Sequence, residues 1–139
     1  MAGKVELIQS VDSVPLLEAI AKRAAGMEAV QDVLLEGNIG REPGKSGCLP
    51  EALDELLETA SRMPGIRVRG LMAIPPAENS RAYFEPMYHL FVDNRQKKYD
   101  KVSMDFLSMG MSDDYEDAIR QGANLVRVGS LIFGPRNYI

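Results

Sequence analysis

Strand-like and helix-like segments alternate along this chain, and that alternation restricts its possible folds more than any other feature. Five apolar runs, "VELIQSV" (from Val5 to Val11), "DVLLEGNI", "IRVRGLMAI", "MDFLSMGM" and "NLVRVGSLIFG", are separated by four segments of helical periodicity. Strands joined through helices build a parallel sheet. Ser13 is placed to cap the first helix, with Leu16, Leu17, Ile20, Ala21 and Ala24 on one face and Gly26 just past its end. Pro50 opens the second helix, striped by Leu53, Leu56, Leu57 and Ala60, and Pro64-Gly65 stops it. The third follows Tyr83, Phe84, Met87, Leu90 and Phe91 from Ser80 to about Tyr99, with Pro86 expected to kink it or delay its start. Ser112 is expected to cap the fourth, Asp113, Asp114 and Glu116 favour its dipole, and Gly122 ends it.

A length of 139 residues suits one domain. Two architectures fit the pattern: an open five-stranded parallel sheet, or part of a (β/α)8 barrel, which normally takes roughly 250 residues. Length favours the open sheet. The net charge of −4 and the lack of a basic stripe argue against a nucleic-acid surface. Arg95, Lys97, Lys98 and Lys101 read as a solvated helix end. A single cysteine, Cys48, rules out an intramolecular disulfide and suits a reducing compartment. No apolar run approaches the ~20 residues of a membrane span, and the N-terminus lacks a signal-peptide pattern. The expectation is a soluble cytoplasmic protein.

Ligands of parallel α/β folds sit beyond the carboxyl ends of the strands. "LSMGMSDD" puts Ser108, Gly110 and Ser112 at such an end, ahead of a helix whose free N–H groups attract anions. The next strand ends in "RVGS", where Gly129 permits close backbone approach and Ser130 offers a hydroxyl and an N–H. Two readings fit the pattern alike: a phosphate cup, or a helix cap at Ser112 and a bulge at Gly129. Arg127 favours the cup. It shares strand parity with Leu125 and Gly129, and an arginine lining a cleft calls for a fixed acceptor, a phosphate or a ring nitrogen.

The other chemistry-bearing residues read as structural. His89 lies off the apolar stripe without a second His or Cys at ligand spacing, so no metal role is expected. Asp113 and Asp114 read as dipole partners, and Cys48 as a half-buried thiol rather than a nucleophile. Met72, Met104, Met109 and Met111 are expected to fill the interior. Lys45 is the lysine best placed at the ligand end, and it reads as a solvated charge, as do Lys4, Lys22, Lys97, Lys98 and Lys101.

"VELIQSVDS", "NIGREPGKSG", "IRVRGLMAIPP" and "LSMGMSDDYEDAIRQGANLVRVGSLIFGPRNY" together resemble the pyridoxal-phosphate homeostasis protein family, single-domain relatives of the N-terminal barrel of alanine racemase. The resemblance runs from Lys4 to Tyr138. It implies a (β/α)8 barrel that binds pyridoxal 5'-phosphate (PLP), with these five strands as its fourth to eighth and residues 1–139 as one partial domain. It also implies that Ser112, Gly129 and Ser130 hold the phosphate, that Ser108 and Gly110 support the loop, and that Arg127 faces the pyridine nitrogen. An arginine there mutes the electron-sink chemistry of the cofactor, and the family implies a homeostasis carrier rather than an enzyme, with racemase-like activity as the alternative. The family's first three strands, with the Schiff-base lysine and "GENY"-like and "HFIG"-like segments, have no counterpart in this sequence. PLP binding is therefore expected to be weak and non-covalent. Two open sheet edges, near Val5 to Val11 and Leu125 to Val128, are expected to drive self-association, with Leu34, Ile74, Phe106 and Val128 at risk of exposure to water.

Overall fold

The computed structural model describes residues 7–97, 99 and 101–127. Strands β1 (Leu7–Val11), β2 (Gln31–Gly37), β3 (Ile66–Ala73), β4 (Val102–Met111) and β5 (Leu125–Arg127) alternate with helices α1 (Val14–Gly26), α2 (Leu53–Ser61), α3 (Arg81–Arg95) and α4 (Tyr115–Gln121). All four strand pairings are parallel, in the order β1-β2-β3-β4-β5. Strand order never reverses. Crossovers of one hand then put every helix on the same face, as in a barrel wall, whereas a doubly wound sheet reverses order and covers both faces.

The packing agrees. One buried cluster joins Leu17 and Ile20 of α1, Leu53 and Leu57 of α2, Phe84, Met87 and Phe91 of α3 and Ala118 of α4 to Val33, Leu35, Val68, Leu71, Leu107 and Met109 of the strands. The opposite face of the sheet curls. The Ser108 hydroxyl in β4 donates to Gln9 Oε1 in β1 at 2.7 Å. Those strands are three positions apart, about 14 Å in a flat sheet at ~4.8 Å per strand. A direct hydrogen bond between them requires the sheet to bend into an arc. The fold is therefore an open, curled, five-stranded parallel half-barrel, joining the two architectures that the pattern left open.

Local signals account for most element ends. The Ser13 hydroxyl accepts the Leu16 N–H at 3.3 Å and caps α1, while Pro50 begins a 3-10 turn, Pro50–Ala52, that leads into α2. Several boundaries differ from the sequence expectation. Gly26 is the last residue of α1, and Met27 is its C-cap. Pro86 lies inside α3, which starts at Arg81 without delay and ends at Arg95 rather than near Tyr99. The N-cap of α4 is Asp114, not Ser112; the strand runs on to Met111, so the turn, not the helix, begins at Ser112. Leu34 is fully buried instead of exposed, Met111 is 47% exposed instead of internal, and Leu16 leaves the buried stripe of α1. The expected exposure of Val128 lies outside the described residues.

At the amino-terminal half of the strands the inner face is polar. Arg67 holds Asp32 bidentately, Nε–H to Oδ1 at 2.7 Å and Nη2–H to Oδ2 at 2.8 Å. Arg69 bridges Asp32 at 3.0 Å and Asp105 at 2.7 Å, and its guanidinium lies 5.2 Å from the Phe106 ring centroid. This ladder ties β2, β3 and β4 together at the end remote from the strand carboxyl termini.

Candidate functional site

The carboxyl ends of the strands carry a second group of polar contacts. Asp114, at the start of α4, accepts the Met111 N–H through Oδ1 at 2.7 Å and the Ser80 hydroxyl through Oδ2. Arg81 pairs with Asp117, and its Nη2–H donates to the Asp113 carbonyl at 3.2 Å. The Arg81 hydrogen bond holds the Asp117 carboxyl below the usual carboxylate range. The turn after β4 is thus pinned to the start of α3. A pocket of about 150 Å³ opens between the ends of β3 and β4, lined by Ile74, Pro75, Ser80, Arg81, Gly110 and Met111, and Asp113 and Asp114. A neighbouring hollow of about 290 Å³ takes in Ser112, Arg81 and Arg120.

Across the mouth, the loop after β2 folds back on the strand that supports it. Cys48 N–H donates to the Glu36 carbonyl at 2.9 Å and Asn38 N–H to the Cys48 carbonyl at 2.8 Å. The Asn38 side chain brackets Glu42, donating to its carbonyl at 2.9 Å and accepting its N–H at 3.1 Å. Two carboxylates fasten the tip: the Ser46 hydroxyl donates to Glu36 Oε2 at 2.7 Å, and Gly47 N–H donates to Asp12 Oδ2 at 2.8 Å. Lys45 sits in this loop, exposed. Burial, reinforced by Asp12 and Glu36, pushes the Cys48 thiol up to about 11, so the thiol is protonated at neutral pH.

The residues that sequence reasoning grouped stand in different surroundings. Ser112 lies just beyond β4, half-buried, on the hollow described above. Gly110 has a packing reason to be glycine: at φ 101°, a Cβ would stand 2.7 Å from the Ala118 Cβ, so α4 could not seat on β4. Ser108 is inside the strand and fully buried, hydrogen-bonded to Gln9 across the interior. Arg127 ends β5, paired with Met111. Gly129 and Ser130 lie outside the described residues. Sequence reasoning missed Gln9, Asp12, Glu36 and the Ser80–Asp114 and Arg81–Asp117 pairs, whose partners are distant in sequence and carry no local signature. His89 is exposed beside Glu85, at 3.9 Å.

The family model for the alanine racemase N-terminal domain matches residues 2–137. A pyridoxal phosphate homeostasis protein from Aquifex aeolicus is 46% identical over 99% of this chain and 61% of its own length. One from Pseudomonas aeruginosa is 39% identical over 99% of this chain and 59% of its own length. The chain therefore spans about three-fifths of these curated relatives. Among solved structures, PipY of Synechococcus elongatus with PLP bound superimposes with a TM-score of 0.82 at 28% identity, over 96% of this chain and 63% of PipY.

Proposed function

Because the chain belongs to the alanine racemase N-terminal domain family, we propose that it binds pyridoxal 5'-phosphate at the carboxyl ends of β4 and β5 and acts in PLP homeostasis without catalysing a reaction. Residues 1–139 form a single domain on this reading, and the five strands stand as the fourth to eighth of an eight-stranded barrel. The observation that carries the assignment is the Met111–Arg127 pairing, which sets the stems of "MGMS" and "RVGS" side by side at the ligand end of a parallel sheet.

Two cations, Arg81 and Arg120, and the Ser112 hydroxyl at this mouth support the reading of a bound phosphate ester. Ser112 is half-buried at the mouth, where its hydroxyl and N–H suit a phosphate oxygen. The hollow that holds Ser112 is also lined by Asp113, Asp114, Glu116 and Asp117, and Arg81, paired with Asp117, and Arg120 are the cations that offset their charge against an anion. The family resemblance assigns Gly129 and Ser130 to the same cup, Ser108 and Gly110 to its support, and Arg127 to the pyridine ring. Bound PLP supplies a reactive aldehyde and an electron-withdrawing ring; the chain's part is to hold the phosphate and orient the ring. The support for a carrier over a racemase is the name of the relatives, pyridoxal phosphate homeostasis proteins.

The test is a PLP titration with and without inorganic phosphate, followed by borohydride treatment and mass spectrometry. Weak binding that phosphate displaces, with no stoichiometric lysine adduct, is the expected result. Turnover in an amino-acid racemisation assay would replace the carrier reading, and a full adduct on Lys45 would replace the phosphate-driven one.

A further inference from the structure

The geometry points to Glu36 as a positioning residue that fixes the loop after β2 as the wall opposite the phosphate end, so that the loop meets the non-phosphate part of the ligand. The inference rests on the ligand reading above and adds a second side to the site.

Three observations place the wall. First, Glu36, Met72 and Ser108 lie in register across β2, β3 and β4, and Glu36 is 3% exposed although charged. A carboxylate withdrawn from water at a strand end needs a fixed partner, and Ser46 of the loop is that partner at 2.7 Å. Secondly, the adjacent residue, Gly47, is held by Asp12 from the end of β1, so two strands fasten neighbouring positions of one loop. The Cys48 N–H on the Glu36 carbonyl is a third tie on the loop and the second to Glu36. Thirdly, the Ser108–Gln9 bond brings the inner sides of β4 and β1 together. The strand ends that carry Ser112 and those that carry the loop thus face one another over a single curved interior. A ligand whose anion sits beyond β4 then has its other end toward the loop tip that Asp12 and Glu36 hold.

Glu36 acts through the loop rather than on the ligand. The experiment separates that role from a general structural one by comparing two probes on the same chain, PLP and inorganic phosphate. Removing a carboxylate–hydroxyl bond that orders the loop is expected to weaken PLP binding by about tenfold in Glu36→Ala, and to leave inorganic phosphate within about twofold. Glu36→Gln keeps an oxygen to accept the Ser46 hydroxyl and is expected to restore PLP affinity. Ser46→Ala deletes the same bond from an exposed position without opening a cavity, so it reports even where Glu36→Ala fails to fold, and it is expected to weaken PLP several-fold. PLP affinity unchanged in folded Ser46→Ala and Glu36→Ala, or PLP and phosphate weakened together, overturns the wall. A parent chain that binds neither probe overturns the ligand reading itself.

Discussion

A Cβ built on Gly70 would stand 1.8 Å from the carbonyl oxygen of Phe106 on the neighbouring strand, with the backbone at φ 151°. Backbone cannot rotate away as a side chain can, so β3 would have to separate from β4. Gly70→Ala is expected to destabilise the chain by about 3 kcal/mol or more, read as a fall in urea midpoint. An unchanged midpoint would show that the bulge at this pairing yields freely. Cys48 gives a second prediction at this scale. Its thiol, raised from 9.0 to about 11, is ionised only above the ordinary thiol range. At pH 8 the native chain should hold ~100-fold less thiolate than the unfolded one, and iodoacetamide should label it correspondingly more slowly. Equal rates in buffer and in urea would contradict the assignment. The sign for stability follows: a raised thiol pKa supports the fold below the unfolded value and loses that support as the pH rises through the folded one.

At the scale of elements, the Asp32–Arg67–Arg69–Asp105 ladder joins three strands at the end remote from the site. The Arg67 hydrogen bond, chiefly, holds Asp32 below its ordinary value, and Ser103 and Arg69 do the same for Asp105. A carboxyl with a depressed folded pKa stabilises the fold above the unfolded value of 3.8 and loses that contribution as the pH falls through the folded one. Asp32→Asn should therefore flatten the loss of stability below about pH 4, measured as melting temperature against pH. An acid limb identical to that of the parent would show that other carboxylates control it. Elements of this kind were only partly legible from sequence. The α1 cap at Ser13 and the stripe Leu53, Leu56, Leu57 and Ala60 are local signals, and they stand where the spacing put them. The α4 cap was misassigned because Ser112 and Asp114 both suit the position. A local bond and a long-range one favour Asp114: it accepts the Met111 N–H three residues before it and the Ser80 hydroxyl 34 residues before it. Glu36, Asp12 and Gln9 gave no signal because their partners lie 10, 35 and 99 residues away.

For the whole molecule, strand order and curvature mattered more than strand count. The alternation of strands and helices fixed a parallel sheet, but nothing in a periodic pattern says whether that sheet closes. The motifs around Ser112 and Arg127 pointed to barrel geometry, and the Gln9–Ser108 bond provides the curvature. Among the described residues β1 and β5 each pair with one strand only, and Ile74 at the mouth is 50% exposed. Unpaired N–H and C=O rows beside apolar side chains favour pairing with another copy. The 139-residue chain is accordingly expected to show a concentration-dependent rise in mass by light scattering. A stable monomer across the micromolar range would instead mean that the arc shields its own edges.

Amide shifts of the isotope-labelled chain during a PLP titration test binding at the carboxyl ends of β4 and β5, because they locate the ligand as well as detect it. Perturbations are expected to concentrate at Met111, Ser112 and Arg127, reproduced there by inorganic phosphate alone, with a further set at Glu36, Ser46 and Gly47 that only PLP produces. Perturbations centred on the shallow surface of Lys22, Arg23 and Met27 on the outer side of α1, with Ser112 and Arg127 unmoved at saturation, would contradict it.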